Sequence, residues 1–288
     1  MQQKHVPAMD KKYWSALILA SIFGCNTGDF VADTLGLGHV SGLPILAVLL
    51  ALVLVAERFD RFRHAAYFWA GIIVVRTAAT NIGDIAFDLR LTRPLVIACL
   101  AVLLFAIALA WHLYNRNRYG DDESLGGRSI ATFPIYWVEM LVAGALGTVF
   151  GDFCSFNLMG FILGRPSGAH VGAALGGEGA QTGAFISGIG MQNLYAALIL
   201  ALPLAVLFVI GHKKRIQTRL FYYWLTVVFI RSAGTAFGDF VAHTPLHLEY
   251  ATLATGLVFV LFLLFWPGER RGSGAAGPAP IEGASPIG

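Results

Sequence analysis

The chain has few charged residues and few cysteines. Charged residues make up 13% of its 288 residues and hydrophobic residues 57%, whereas soluble domains carry about 25% charged residues. This composition excludes an ordinary soluble globular protein. The three cysteines lie in apolar segments and lack a CxxC spacing, so they predict neither a disulfide framework nor a zinc site.

Motifs of common catalytic sites are also missing. The sequence contains no P-loop, no GxSxG and no HExxH, and its apolar segments offer no facing histidine pairs for haem. We therefore expect no enzyme and no cofactor. The net charge of +3 gives no indication of a nucleic-acid partner.

Long apolar segments repeat from one end of the chain to the other. Four of them contain no charge, at 43–56, 94–111, 194–211 and 251–266, and four are interrupted by polar residues, at 13–31, 67–87, 133–154 and 220–242. A helix needs about 20 residues to cross a bilayer, and barrel strands would instead alternate apolar and polar residues. We predict an all-α polytopic membrane protein with about eight transmembrane helices in one integral membrane domain, 13–267.

Three segments stand apart from the predicted helices. Residues 1–12 form a predicted cytoplasmic N-terminal segment, and 268–288, rich in Gly, Pro, Ala and Ser, form a predicted disordered cytoplasmic tail. The loop 157–193 is long, outward-facing and crowded with glycine. A re-entrant segment or a lid is one interpretation of this loop, and a flexible insertion is the one we favour.

Basic residues predict the orientation of the chain. With eight helices, fifteen of the 20 lysines and arginines fall on one side, at 4–12, 58–63, 116–128, 213–219 and 270–271. The other side has only Arg90, Arg93 and Arg165. Because cytoplasmic loops carry an excess of Lys and Arg, we expect both termini in the cytoplasm.

The four interrupted segments repeat one pattern. Each has a Trp (Trp14, Trp69, Trp137 or Trp224), then fourteen residues, then an Asp that directly follows a Gly. The aspartates are Asp29, Asp84, Asp152 and Asp239. Four matches in register indicate duplication of a unit with one polar and one apolar helix, at about 13–57, 67–114, 133–212 and 220–267.

A second duplication is visible within the first. Only the second and fourth units have an Arg seven residues after the Trp (Arg76, Arg231) and a Thr four residues later (Thr80, Thr235) together. This predicts a duplicated four-helix half. Because each two-helix unit re-enters the membrane in the same direction, the repeats are predicted to be parallel, about an axis along the membrane normal.

Polar residues of each unit share one helical face. Positions 7, 11, 15 and 19 after the Trp fall at i, i+4 steps. The stripes are Ser21, Cys25, Asp29 and Asp33 in the first unit, Arg76, Thr80, Asp84 and Asp88 in the second, and Arg231, Thr235, Asp239 and His243 in the fourth, whereas the third ends in Phe156. Charged groups are costly in lipid, and small residues at i, i+4 let helices approach closely. We therefore predict an inner bundle of the four polar helices with the apolar helices outside it.

Some of these residues also have purely structural interpretations. The four tryptophans are predicted to be anchors at the membrane interface, and Glu139, close to Trp137, is predicted to be solvated there. The aspartates could pair with Arg76 and Arg231 or cap helix ends. They outnumber these arginines, however, so the surplus must be protonated, hydrated or bound to a cation.

The repeated Trp-to-Gly-Asp helices, with "YWLTVVFIRSAGTAFGDFVAH" and "GDFVADTLGLG", resemble a family of bacterial multi-pass membrane proteins catalogued as uncharacterised membrane-anchored proteins. The likeness covers most of the chain except the fifth loop and the tail. It implies a location in the bacterial inner membrane, and it brings no substrate and no catalytic residues.

The residues themselves favour a transporter or channel for a small cation, either a proton or a divalent metal such as Mn²⁺ or Mg²⁺. The predicted binding or relay group consists of Asp29, Asp84, Asp152 and Asp239, together with Thr80 and Thr235. The outer mouth of the site is predicted to contain Asp33, Asp88 and His243. Arg76 and Arg231 are the predicted counter-charges. Two alternatives stay open: a non-transporting partner protein with an internal Asp–Arg network, and a transporter of a small anionic solute that uses the two arginines. Expected partners are the lipid bilayer and a small ion or solute, and an oligomer is compatible with the sequence.

Overall fold

Eight long helices make up the part of the chain that the structure, a computed structural model, describes: residues 7, 9–59, 65–89, 91–119, 134–164, 180–214, 216, 219–244 and 246–265. We number the helices in chain order. They are α1 (Lys11–Asp29), α2 (His39–Phe59), α3 (Ala66–Asp88), α4 (Arg93–Tyr119), α5 (Pro134–Asp152), α6 (Ala180–Lys214), α7 (Leu220–Ala242) and α8 (His247–Phe265). The predicted all-α class is confirmed.

Seven of the eight helices are long and apolar enough to cross a membrane, which agrees with a multi-pass membrane protein. The exception, α3, has the same length as α7, 23 residues, but contains Arg76, Asp84 and Asp88. Such residues are tolerated at membrane depth where they face protein rather than lipid. The packing of α3 against three other helices, α1, α2 and α5, provides such a setting.

The polar helices form a closed ring. Helix α1 packs on α3, α3 on α5, α5 on α7, and α7 on α1 again. Each apolar helix packs outside this ring, α2 on α3, α4 on α5, α6 on α7 and α8 on α1. The outer helices expose large apolar side chains, among them Val102 at 68%, Leu202 at 67% and Leu253 at 70%. The predicted inner bundle of four polar helices, with the apolar helices outside it, is therefore confirmed.

Small residues set the spacing within the ring. A Cβ atom on Gly24 of α1 would lie 2.5 Å from Arg76 Cγ on α3, and one on Gly28 would lie 2.8 Å from Thr80 Cβ. The same register recurs where Gly83 meets Thr148, with a would-be Cβ distance of 2.8 Å. Between Gly24 and Gly28 the contact advances by four residues on α1, and between Arg76 and Thr80 it advances by four residues on α3. Neighbouring helices of the ring are therefore parallel.

Two helices of the ring change geometry directly after their Gly-Asp pair. Helix α1 continues into a π-helical segment, Phe30–Thr34, and α5 into another, Phe153–Leu158, before a last α-helical turn, Met159–Ile162. Wide π turns are frequent at functional sites because they displace side chains from the regular helical register. The segments Phe30–Thr34 and Phe153–Leu158 lie at the aspartate end of the ring.

The interface role predicted for the tryptophans is wrong. Trp14, Trp69, Trp137 and Trp224 are 3–6% exposed, because each packs against an aromatic residue of a neighbouring helix. Glu139 is likewise 2% exposed rather than solvated, since α5 is enclosed by α3, α4 and α7.

The predicted loop 157–193 is helical at both ends. The α5 segment runs on to Ile162, and α6 begins at Ala180, so α6 is 35 residues long. Residues 165–179 lie outside the described part, as do the predicted tail 268–288 and residues 1–6. His39 and His247 are the first residues of α2 and α8.

Candidate functional site

Four aromatic residues close one end of the ring's axis. Each precedes a repeated tryptophan, and we call the four the aromatic collar: Tyr13, Phe68, Tyr136 and Tyr223. Tyr13 Oη lies 2.6 Å from Tyr223 Oη, and Tyr136 Oη lies 3.2 Å from Tyr223 Oη. All four side chains are almost fully buried, so the collar blocks the axis at this end.

The tryptophans complete the collar. Each collar ring packs on the tryptophan of a neighbouring helix in the ring, with centroid distances of 5.7 Å for Tyr13–Trp69 and 5.8 Å for Tyr136–Trp224. Edge-to-face contacts also join each collar residue to the tryptophan that follows it, as in Tyr223–Trp224 at 5.0 Å. Such aromatic pairs contribute about 0.5–1.5 kcal/mol each beyond their buried area. Sequence reasoning missed the collar, although the aromatic residue before every repeated Trp was a readable signal.

Arg76 lies inside the ring, where its side chain is fully buried. Its guanidinium donates hydrogen bonds to all three other ring helices. The acceptors are the Ser21 carbonyl oxygen at 3.2 Å, Thr148 Oγ1 at 2.7 Å and Thr235 Oγ1 at 2.6 Å. Arg76 therefore ties α1, α5 and α7 to α3 through one charged group.

Arg231 occupies the same register on α7 but points the other way along the axis. Its Nη2 lies 3.3 Å from Met140 Sδ, toward the aromatic collar, whereas Arg76 reaches toward the threonines. Opposite directions separate two buried positive charges, which lowers their repulsion. Within the described residues Nε and Nη1 of Arg231 have no hydrogen-bond partner.

The alternative interpretation, in which these arginines pair with aspartates, is not seen among the described hydrogen bonds. Those of Arg76 go to hydroxyl and carbonyl oxygens, and that of Arg231 goes to a thioether. Arg and Asp are eight positions apart in one helix, which corresponds to a rise of about 12 Å. This distance keeps the aspartates at the far end of the ring.

Three threonines and a cysteine occupy the next level, eleven residues after each tryptophan: Cys25, Thr80, Thr148 and Thr235. Each threonine hydroxyl donates to the backbone carbonyl four residues earlier, as in Thr235 Oγ1 to the Arg231 oxygen at 3.0 Å. The lone pairs of Thr148 and Thr235 remain to accept from Arg76. We predicted Thr80 and Thr235 as site residues but missed Thr148, which its equal spacing from Trp137 would have revealed.

The four predicted aspartates lie together at the open end of the ring. Electrostatic interactions link the carboxyl groups of Asp29, Asp84, Asp152 and Asp239. Each is partly exposed, with the Asp84 side chain at 26%.

Two of these aspartates have a basic residue of an outer helix beside them. His39 Nδ1 lies 3.6 Å from Asp84 Oδ2 and 3.1 Å from Asn81 Oδ1. Arg93 lines the same small cavity as Asp152, and its Nη1 donates to Asn157 Oδ1 at 2.9 Å. Sequence reasoning left out both basic residues, because their approach to the aspartates depends on how α2 and α4 pack.

The other two aspartates converge with a cysteine. Cys25 Sγ and one carboxylate oxygen each from Asp29 and Asp239 all lie within 4.8 Å of one another. Cys25 Sγ is 3.7 Å from Asp239 Oδ1. This is the group of His, Cys, Asp and Glu side chains in the described residues whose spacing suits a metal ion.

The residues predicted for the outer mouth are less closely joined to the site. Asp33 is exposed in the π-helical segment after α1. His243 follows the last residue of α7, and its Nδ1 lies 2.7 Å from the carbonyl oxygen of Asp239. Asp88 ends α3, and its side chain is outside the described part.

Comparison with known proteins gives one match. Residues 12–61 match the family model described as Repeat of Unknown Function (DUF347). The matched segment contains nearly all of α1 and the whole of α2. Searches of curated proteins and of solved structures found no match.

Proposed function

We propose that this protein is a membrane transporter or channel for a small cation, with Asp29, Asp84, Asp152 and Asp239 as its binding site. One observation carries the proposal. Four partly exposed carboxyl groups meet at one end of a closed helix ring, while the described hydrogen bonds of its two buried arginines go elsewhere. A cation is the ligand that balances this charge.

We further propose that the membrane domain consists of four parallel two-helix repeats, arranged as two duplicated four-helix halves. Equivalent contacts support this: Gly24 against Arg76 recurs as Gly147 against Arg231. The family match supports it as well, because a model described as a repeat covers one helix pair, α1 with α2.

The proposed location is the bacterial inner membrane, with both termini in the cytoplasm. In this orientation the aromatic collar lies at the cytoplasmic end and the aspartates open to the outside. The distribution of Lys and Arg supports this direction.

A cation bound at the aspartates would meet two barriers on its way inward. Arg76 places a positive charge across the axis, and beyond it the aromatic collar fills the axis with buried rings. Passage therefore requires both to move, which favours a gated channel or a carrier over a permanently open pore. Asp33, Asp88 and His243 would form the outer mouth, and Thr80 and Thr235 the layer below the aspartates.

A second candidate function is transport of a small anionic solute. The observation in its favour is Arg231, fully buried with Nε and Nη1 lacking partners within the described residues. Buried charged donors without partners are costly, and an anion between Arg231 and the collar hydroxyls would satisfy them.

Ion flux into proteoliposomes tests the proposal. Purified protein is reconstituted with pH- and Mn²⁺-sensitive dyes inside the vesicles, and native protein is compared with the double variant Asp84→Asn, Asp239→Asn. We expect the variant to lose at least about 90% of the flux, since neutral amides cannot replace charged carboxylates as ligands of a cation. The matched control is Glu249→Gln, an exposed acid at the start of α8, which should transport normally.

Two results would contradict this proposal. One is undiminished cation flux in the double variant, and the other is no cation flux in native protein. Anion flux that survives in the double variant but is lost in Arg231→Gln would instead establish the second candidate.

A further inference from the structure

We propose that Cys25, Asp29 and Asp239 form a binding site for a thiophilic divalent cation of the Zn²⁺ class. We call these three residues the Cys25 site. The inference rests on the proposed function in one respect: it names the class of cation that the aspartate end of the ring would select. The claim that these three residues bind a metal depends only on their geometry.

The spacing of the three side chains suits a tetrahedral metal. Zn–S and Zn–O bonds of about 2.3 and 2.1 Å at a tetrahedral angle place sulfur and oxygen ligands about 3.6 Å apart. Cys25 Sγ and Asp239 Oδ1 are 3.7 Å apart, and all three ligand atoms lie within 4.8 Å of one another. Three protein ligands also leave one position open, as in sites that exchange their ligand.

Backbone packing holds these ligands in place. Cys25 and Asp29 are one helical turn apart on α1, and Asp239 lies on α7. At the contact between the two helices is Gly238, where an added Cβ would lie 3.3 Å from Cys25 Cβ. Without a side chain there, α7 approaches closely enough to place Asp239 beside the thiol.

An independent observation comes from Asn26. This residue is fully buried, and within the described residues neither atom of its side-chain amide has a partner. Its Oδ1 points at Gly238, the neighbour of Asp239, 2.8 Å from where a Cβ would lie. Buried polar groups normally find partners, and a water bound to the metal at the Cys25 site would offer the Asn26 amide one.

The four aspartates differ in the side chains that lie beside them. Asp84 has His39 beside it and Asp152 has Arg93. Asp29 and Asp239 instead share a thiol, at the one position of the threonine level where the chain has cysteine. Thiolate ligands favour Zn²⁺ and Cd²⁺, whereas Mg²⁺ and Ca²⁺ require oxygen ligands. The chemistry of the site therefore selects against the harder divalent ions.

Cadmium titration of the full-length protein in detergent tests this proposal without any transport assay. Binding of Cd²⁺ to a thiolate produces an ultraviolet charge-transfer band, so the spectrum reports the ligand directly. We expect native protein to develop this band with one Cd²⁺ per chain, and Zn²⁺ but not Mg²⁺ to compete for the site. Cys25→Ser should lose the band.

Variants separate the site from non-specific effects. Cys154→Ser removes another buried cysteine that is outside the three-residue group, and it should keep the band and the affinity. Asp29→Asn and Asp239→Asn keep the thiol but should raise the Kd for Cd²⁺ by about 10- to 100-fold, the loss typical when a metal site is weakened. Thermal melting of each variant checks that it is folded.

The outcomes are distinguishable from those of the flux experiment. A native protein without the band, or a band that persists in Cys25→Ser, overturns the Cys25 site even if aspartate-dependent flux is present. A band that depends on Cys25, Asp29 and Asp239 supports the site even in a protein that transports nothing, and then only the proposed function fails.

Discussion

Arg76 illustrates how a helix in this protein keeps a guanidinium away from lipid. Burying a charge is costly unless its donors find hydrogen-bond partners. Arg76 meets this demand with neutral acceptors, the hydroxyls of Thr148 and Thr235 and the carbonyl of Ser21, rather than with a carboxylate. None of these hydrogen bonds goes to a carboxylate, and the Arg76 charge acts on the four aspartates only through longer-range electrostatic interactions.

The threonine level offers a matched test of this role. Thr148→Val removes the acceptor that lies 2.7 Å from Arg76 Nη1, and a hydrogen bond to a charged group contributes about 1.5–3 kcal/mol. We expect the free energy of unfolding in detergent, measured by denaturant titration, to fall by about that amount. Thr80→Val is the control, because the described hydrogen bond of Thr80 goes only to the Arg76 carbonyl at 3.3 Å. Equal losses in the two variants would contradict this account of Arg76.

The positions of repeated residues can be predicted from the sequence, whereas the environment of a residue whose partners lie on other helices cannot. The four Asp positions and Arg76 were recognised because equal spacing from a Trp puts them on one face. Trp137 and Glu139 were misplaced, since a residue near a helix end can face either the interface or the bundle. Only the packing of the aromatic collar decides between these environments.

Pairs of helices in the ring depend on glycines that no larger residue can replace. Gly151 of α5 is the clearest case: an added Cβ would lie 2.8 Å from the carbonyl oxygen of Ser232 on α7. A backbone atom cannot rotate away as the end of a side chain can. Helix α7 would have to move, and it holds both Arg231 and Asp239.

Gly151→Ala should therefore destabilise the protein. We expect a loss of about 1–3 kcal/mol, the usual cost of overpacking a well-packed core, visible as a lower melting temperature in detergent. The control is Gly42→Ala in α2, where the nearest atoms to an added Cβ are 3.8 Å away, an ordinary contact distance. That variant should melt at the native temperature or above it, since Ala has the higher helix propensity. A Gly151→Ala protein as stable as Gly42→Ala would show that the α5–α7 contact is looser than described.

Helix positions were largely predictable because each apolar segment is long and bounded by polar residues. The length of α6 and the π-helical segments after Asp29 and Asp152 were not. Gly and Ala in 180–193 have weak hydrophobicity, so they suggested a loop where the structure has the first turns of α6. A π-helical turn contains one more residue than an α-helical turn, and a single such turn cannot be recognised from the hydrophobic periodicity.

The two ends of the ring differ in the residues that they carry, so the whole molecule has a direction along the axis of the ring. The aromatic collar is at the N-terminal end of the ring helices, followed by the arginines, the threonine level and the aspartates. Because the four ring helices are parallel, this order is the same on every side of the axis. A cation would therefore meet attraction at one end and two barriers toward the other, so orientation in the membrane decides from which side the site is loaded.

Reporter fusions determine that orientation. We expect GFP to fluoresce when fused to either end of the chain and alkaline phosphatase to be inactive there, because fifteen of the 20 basic residues lie on the side of the predicted termini. Phosphatase inserted after Gly36, between α1 and α2, should be active. The turn at Gly36 is suitable because it is exposed and lies beside the aspartates, so active enzyme there means that the aspartates open to the outside. The opposite pattern would place the collar outside and the aspartates in the cytoplasm, and the proposed cation would then be bound from within the cell.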